Sequence, residues 1–365
     1  MHAHNVCNGN VYYSVCTPDY KNLNRIIMSR ISRYQGSISK FLITKSCFAK
    51  TIKDNKTFDD IMNTTDHLAP VILLTVLNNQ YKKKNFKTHH GYYMASGIDI
   101  LMTVANIFDN ETYYKTKFGT KSVNDFISEM PFYVFKCLSQ NIETLESIVN
   151  KDDVIKMYHQ AITQLQNKIS KIVQRNELVG TTAVKKTDIV KFHFSNKQLI
   201  QTKYKKLKKI DRDILISHVD QKYGLVCQIA FIMGWLLGMG DEKMLTNLER
   251  LGTHLGLMFK ISNDFNTLER DIAHSDKVSY NLIVNYGIHE CFSLFMESKI
   301  KLLNGCLSMN IFSNTMKEIV DHIEKQFDNC LKNTDIELNS VYSSFTDGSK
   351  VPPKKDSSDD GDSEE

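Results

Sequence analysis

The sequence predicts an all-α protein, organised as one large helical domain. Three observations carry that expectation. Only five prolines interrupt 365 residues, and a helix interior tolerates no residue less well. Apolar residues make up 42% of the chain, enough to bury a large core. They recur mostly at spacings of three and four, as on one face of a helix, while stretches that alternate as strands do are scarce.

The elements follow in order. Residues 22–50 read as an amphipathic helical start with Gly36 as a break. Residues 58–82 form a second apolar helical run, followed by a basic, aromatic loop, KKKNFKTHH, and an apolar helix over 91–108. Two more helices are expected within 122–175. Residues 176–212 differ: TAVKKTDIVKFHF alternates weakly and KYKKLKKIDR is a run of charge, so this segment reads as a solvent-exposed insertion. Helices resume from 214 to 338. The longest apolar run, GLVCQIAFIMGWLLGMG at 224–240, is short for a membrane span and reads as a buried core helix.

The formal net charge is +5. The last 20 residues, from Thr346, hold three Lys against seven Asp or Glu, which leaves the body at +9. Such a body suits an anionic partner: nucleic acid, an anionic membrane or a phosphorylated small molecule. The basic run near 204 carries one aromatic, Tyr204, and reads as a solvated face, so nucleic acid is not expected. The acidic, Ser-rich tail at 346–365 has the composition of a disordered segment, which leaves 1–345 as the folded unit. Eight cysteines lack metal-ligand spacing, and the first twenty residues lack the cationic and apolar regions of a secretory leader. Reduced thiols in a cytoplasmic protein are expected. Residues 21–53, which carry Lys and Arg and no acid, leave an organellar address open.

The chemistry concentrates in residues 245–271. Leu248, Leu251, Leu255, Met258 and Phe265 share a burying face. Beside it runs a stripe of Gly252, Gly256, Lys260, Asn263 and Thr267. Each glycine inside a helix costs about 1 kcal/mol relative to Ala, so a neighbouring helix or a ligand should approach there. In ISNDFNTLERD, spacings of four place Asn263, Thr267 and Asp271 on one face, drifting by about 40° per step. Two readings are open: a solvated polar face, or three oxygen ligands for a hard cation such as Mg²⁺.

LGLMFKISNDFNTLERD resembles the second aspartate-rich helix of the trans-isoprenyl diphosphate synthases, the farnesyl and geranylgeranyl diphosphate synthase family. Lys260 stands where that family has Gln, Asn263-Asp264 at its Asp pair and Thr267 at the next Asp. The likeness extends along the chain in order. Lys222 and Gly224 match K-T-G, Gln174 matches G-Q-x-x-D-L, and Lys277 with Ser279 matches a downstream G-K-x-S. Thr88, His90 and Tyr93 fall in register with the segment after the first motif, where Lys83-Lys84 stand for two Arg. Lys40 stands at the Arg of G-K-x-x-R-P, with Ser37 at its Lys, and His67 fits the His before the first motif.

The resemblance implies a helical bundle around a deep apolar cavity, usually dimeric, in which two facing aspartate-rich helices hold three Mg²⁺ on a diphosphate. It implies an isoprenyl diphosphate ligand held by Lys40, His67, Lys83, Lys84, Lys222, Lys260 and Lys277. A remodelled metal site would comprise Asn263, Asp264, Thr267 and Asp271, holding a single Mg²⁺ ion. The family's first motif would fall on LTVLN at 74–78, or with a gap on NNQYK; no Asp or Glu occurs between Asp66 and Asp99. No catalytic residue is assigned. Three functions are implied: a divergent prenyltransferase, a terpene-synthase-like lyase using Asn263, Thr267 and Asp271, or a non-catalytic binding protein or subunit, as a homodimer or beside an active synthase.

Overall fold

The computed structural model describes residues 29–80, 87–173, 181–183, 208–274 and 280–331. Helix α1 spans Arg30–Thr44 and starts where the Ser29 hydroxyl accepts from the Ser32 amide at 3.1 Å, a side-chain N-cap. It runs through Gly36, so the break expected there is absent; nothing lies near that residue, and one exposed glycine costs a helix too little to end it. Helices α2 (Ala49–Asp54) and α3 (Lys56–Met62) are short, and α4 covers Ala69–Gln80. The single run expected at 58–82 is therefore split. Pro70 sits in the first turn of α4, where the missing amide costs least, and His67 adopts φ 54.

A 3₁₀ turn at Thr88–Gly91 leads into α5, Tyr92–Asp109. Helices α6 (Glu111–Phe118), α7 (Thr120–Leu145) and α8 (Lys151–Val173) follow. Two three-residue strands, β1 (Thr181–Ala183) and β2 (Lys208–Ile210), pair antiparallel with Thr181 opposite Ile210. They tie together the ends of the expected insertion, whose residues 184–207 lie outside the described residues, as does the acidic tail. Helix α9 (Arg212–Val219) continues through a π turn, Asp220–Gly224, into α10, Leu225–Leu237. Then come α11 (Leu245–His274), α12 (Leu282–Tyr286), α13 (Ile288–Ser308) and α14 (Asn314–Leu331).

The bundle is organised on α10, every residue of which is buried. Helix α11 covers one side of it and α4 another, while α5 packs on α7 and α11 also carries α13 and α14. The glycines of α11 are explained by this packing. A Cβ on Gly256 would lie 2.6 Å from the Gly224 Cα, and one on Gly252 would fall on the Gln228 backbone. The close approach is made by a helix and not by a ligand. Helices α4 and α10 also meet at backbone distance, since a Cβ on Gly234 would lie 2.6 Å from the Leu73 carbonyl. Among the described cysteines, Cys137, Cys227, Cys291 and Cys306 are buried free thiols and Cys47 is half-buried. No described helix is long and apolar enough to cross a membrane.

Candidate functional site

The C-terminal end of α5 faces the middle of α11 across a cavity of about 220 Å³. Asn106 enters it from α5, Tyr223 from the π turn, Asn263 and Asn266 from α11, and Asp66 from the loop before α4. Among the described residues that line it there is no Lys or Arg. The Tyr223 hydroxyl donates to Asn106 Oδ1 at 2.9 Å, which fixes one wall.

Directly beneath lies a buried charge cluster. Lys260, with no solvent exposure, places Nζ 2.7 Å from Asp109 Oδ2 and 2.5 Å from Asp264 Oδ1. Asp264 Oδ2 accepts from the Leu282 amide at 2.7 Å, capping the start of α12. Burial opposes the Lys260 ammonium, but the two carboxylates outweigh it and its pKa is raised. Burial likewise opposes charge on Asp109, yet Lys260 and His218 hold its carboxyl below the usual range. His218 is itself buried beside Asp109, stacked on Tyr280 at 4.1 Å, and burial lowers its pKa. One ammonium thus bridges carboxylates from two facing helices.

Lys222 also points inward. It is buried, donates to the Ile172 carbonyl in the last turn of α8 at 2.6 Å, and lies 4.5 Å from the Phe108 ring centroid. A cation there suits the negative end of α8. Burial lowers its pKa to about 8. The π turn is what aims it: the wider turn reorients the side chains relative to a regular helix.

The remaining expected residues scatter. Lys40 is exposed on α1 and does not border this cavity. His67, in the loop before α4, has Nδ1 2.6 Å from Asp99 Oδ2, so this ring nitrogen is engaged by a carboxylate of α5. Asn263 lines the cavity and Thr267, one turn on, is half-buried. Lys83, Lys84, Lys277 and the side chain of Asp271 lie outside the described residues.

The described residues do not fit the three-magnesium clamp implied by the resemblance. Asp109 and Asp264, the carboxylates nearest to it, are bound by an ammonium that a divalent cation would have to displace. What faces the cavity is mainly neutral amide and hydroxyl oxygen, with one carboxylate at Asp66. Hard divalent cations are held chiefly by charged oxygen. No group of three His, Cys, Asp or Glu that could hold a metal occurs among the described residues.

No family model matches the chain. Nor does any curated protein match it by sequence. Solved structures do match. A geranyltransferase from Helicobacter pylori, complexed with magnesium and isoprenyl diphosphate, superposes with a TM-score of 0.53 at 15% identity, over 82% of this chain and 97% of that one. A putative farnesyl-diphosphate synthase from Marinomonas sp. MED121 superposes with a TM-score of 0.50 at 12% identity, over 80% and 97%. The fold is that of the trans-isoprenyl diphosphate synthases.

Here the helix facing 263–267 is α5, through Asn106 and Asp109, and not α4. Residues 74–78 are committed elsewhere: Leu74, Val76 and Leu77 are buried in the core and Thr75 is 2% exposed. Asn78 donates to the Tyr34 hydroxyl at 2.9 Å. Asp109 ends α5, downstream of both segments where the first motif would fall. Asn106, Asp109 and His218, which line or underlie this cavity, were not picked out beforehand. For Asp109 a signal was present in the sequence: a carboxylate closing a long apolar helix opposes the helix dipole, which favours a cation as partner.

Proposed function

We propose that this protein is a catalytically silent relative within the synthase fold, acting by binding, as a subunit or binding protein, and not by joining or cyclising prenyl chains. The single observation behind this reading is the Lys260 ammonium between Asp109 and Asp264. Breaking the C–O bond of an allylic diphosphate requires cations that neutralise the leaving group as charge develops. In this chain the facing carboxylates already have a counter-ion, and it is part of the protein.

The test is incubation of purified protein with Mg²⁺ and geranyl, farnesyl or geranylgeranyl diphosphate, with and without isopentenyl diphosphate. No product is expected, together with co-purification of an active synthase chain from the native source. A longer diphosphate would overturn the proposal. A lyase acting on one prenyl diphosphate is the second reading, favoured by the position of Asn263 on the cavity wall; a hydrocarbon or alcohol in the same incubation would establish it.

A further inference from the structure

Cys47 lies in the turn between α1 and α2 and is half-buried. Its Sγ donates to Gln140 Oε1 of α7 at 2.9 Å. Cys137 precedes Gln140 by one turn on the same face of α7 and has no solvent exposure. Its thiol is hydrogen-bonded to that of Cys47. Two cysteines far apart in sequence thus meet, one within reach of small solutes and the other behind it.

The meeting is held in place from both sides. The Ser46 hydroxyl donates to the Leu42 carbonyl at 2.5 Å and accepts from the Phe48 amide at 3.1 Å, which fixes the turn that carries Cys47. The buried Phe48 ring packs 4.9 Å from that of Tyr133, and the hydroxyls of Thr51 and Tyr133 share a hydrogen bond at 2.6 Å. Tyr133, Cys137 and Gln140 follow at spacings of four and three, so one face of α7 meets residues 47–51. Helix α5 closes the space behind Cys137, since a Cβ on Gly97 would lie 3.4 Å from the Cys137 Cβ.

The two thiols are unequal. The hydrogen bond from Cys137 lowers the pKa of Cys47 from its ordinary 9.0; burial opposes this, and the Lys136 ammonium adds to it. The same bond, with burial, pushes Cys137 well above 9.0. Burial also raises the thiols of Cys227, Cys291 and Cys306.

We infer that Cys47 and Cys137 form a peroxide-reactive pair, in which Cys47 attacks and Cys137 resolves it to an intramolecular disulfide. Thiols that sense oxidants are accessible and stand beside a resolving thiol, as here. The Cys47 thiolate attacks one oxygen of hydrogen peroxide and breaks the O–O bond. The hydroxide released takes up the proton that Cys47 had lost, and a sulfenic acid remains on Cys47. The Cys137 sulfur then attacks the Cys47 sulfur, and the hydroxyl leaves with the Cys137 proton as water. Two thiols lose two electrons, and one peroxide becomes two waters. The disulfide ties the turn between α1 and α2 to α7. The inference is independent of the proposed binding function, because it uses no residue of the Asn263 cavity.

The full chain, reduced and then freed of reductant, is treated with equimolar hydrogen peroxide, unfolded, alkylated and digested with trypsin for mass spectrometry. Ser46–Lys50 should appear joined to Cys137–Lys151, lighter than the separate peptides by two hydrogens and separated again by dithiothreitol. Cys47 should be modified at least ~10-fold faster than Cys306, as its accessibility and lower pKa predict. Cys137→Ser should lose the linked peptide and leave a sulfenic acid on Cys47 that dimedone traps. Cys47→Ser should leave Cys137 a free thiol under the same treatment. Trp235 fluorescence reports that each variant is folded. A disulfide from Cys47 to any other cysteine overturns the assignment. So does oxidation of Cys137 in Cys47→Ser, or absence of a dimedone adduct in Cys137→Ser.

Discussion

The Nζ of Lys260 lies 2.7 Å from Oδ2 of Asp109, joining residues 151 positions apart with no solvent at the ammonium. Together with Asp264 this pair links α5 to α11 beneath the cavity. Removing one partner of a buried pair leaves uncompensated charge, a loss of about 3–5 kcal/mol. Lys260→Met should lose roughly that much stability at neutral pH, read by denaturant unfolding with Trp235 as reporter. Lys260→Met/Asp109→Asn should recover part of it. Additive effects in that cycle would mean the two groups do not interact.

The same substitution site offers a test of cation replacement. Wild-type melting temperature should not respond to Mg²⁺ or to a chelator. Lys260→Gln, which frees carboxylates on both helices while keeping a polar side chain, should show a melting temperature that rises with Mg²⁺ concentration. A Mg²⁺-dependent rise in the wild type would show that the ammonium does not occupy the cation's place.

Glycines in α11 and α1 should respond with opposite sign. Gly256→Ala drives a methyl group against the Gly224 backbone and should cost about 1–3 kcal/mol as α10 and α11 separate. Gly36→Ala, in an exposed helix interior with nothing within 4 Å, should gain about 0.5–1 kcal/mol. Paired urea melts of the two variants check both.

Lys222 has a folded pKa of about 8 against an ordinary value of 10.5. Between those values the unfolded chain binds more protons, so folding stability rises with pH through that window. The penalty for holding the charged form is fully present below about 8. Lys222→Met should remove this rise, visible as a flatter dependence of urea midpoint on pH from 8 to 10.5. An unchanged slope would assign the dependence to other groups.

His67 works in the reverse sense. Burial opposes its charge, but the hydrogen bond and charge of Asp99, with Asp66 nearby, outweigh it and raise its pKa above 6.5. Its stabilising pair is therefore complete below pH 6.5 and is lost as pH rises through the higher folded value. His67→Asn should abolish that loss, and nuclear magnetic resonance titration of the ring should place its pKa above the ordinary value.

The helical class and the buried helix at 225–237 were legible in the sequence, because periodicity is a short-range property. The polar stripe of α11 was legible too, including the need for something to approach its two glycines. What approaches was not: whether a ligand or the backbone of Gly224 fills that space depends on how α10 and α11 dock.

Two matters were decided by tertiary structure alone. One is which helix faces Asn263. Helices α4 and α5 are both apolar and adjacent in sequence; packing against α10 buried α4, and α5 came to lie across the cavity from α11. The other is the direction of the lysines. Lys222 and Lys260 sit at positions expected to meet a diphosphate, yet an ammonium goes where its nearest fixed negative charge lies. For Lys222 that is the carbonyl end of α8, and for Lys260 it is a carboxylate 151 residues away. A sequence shows that a helix carries a cation; only the relative placement of helices determines whether that cation meets a ligand or another part of the chain.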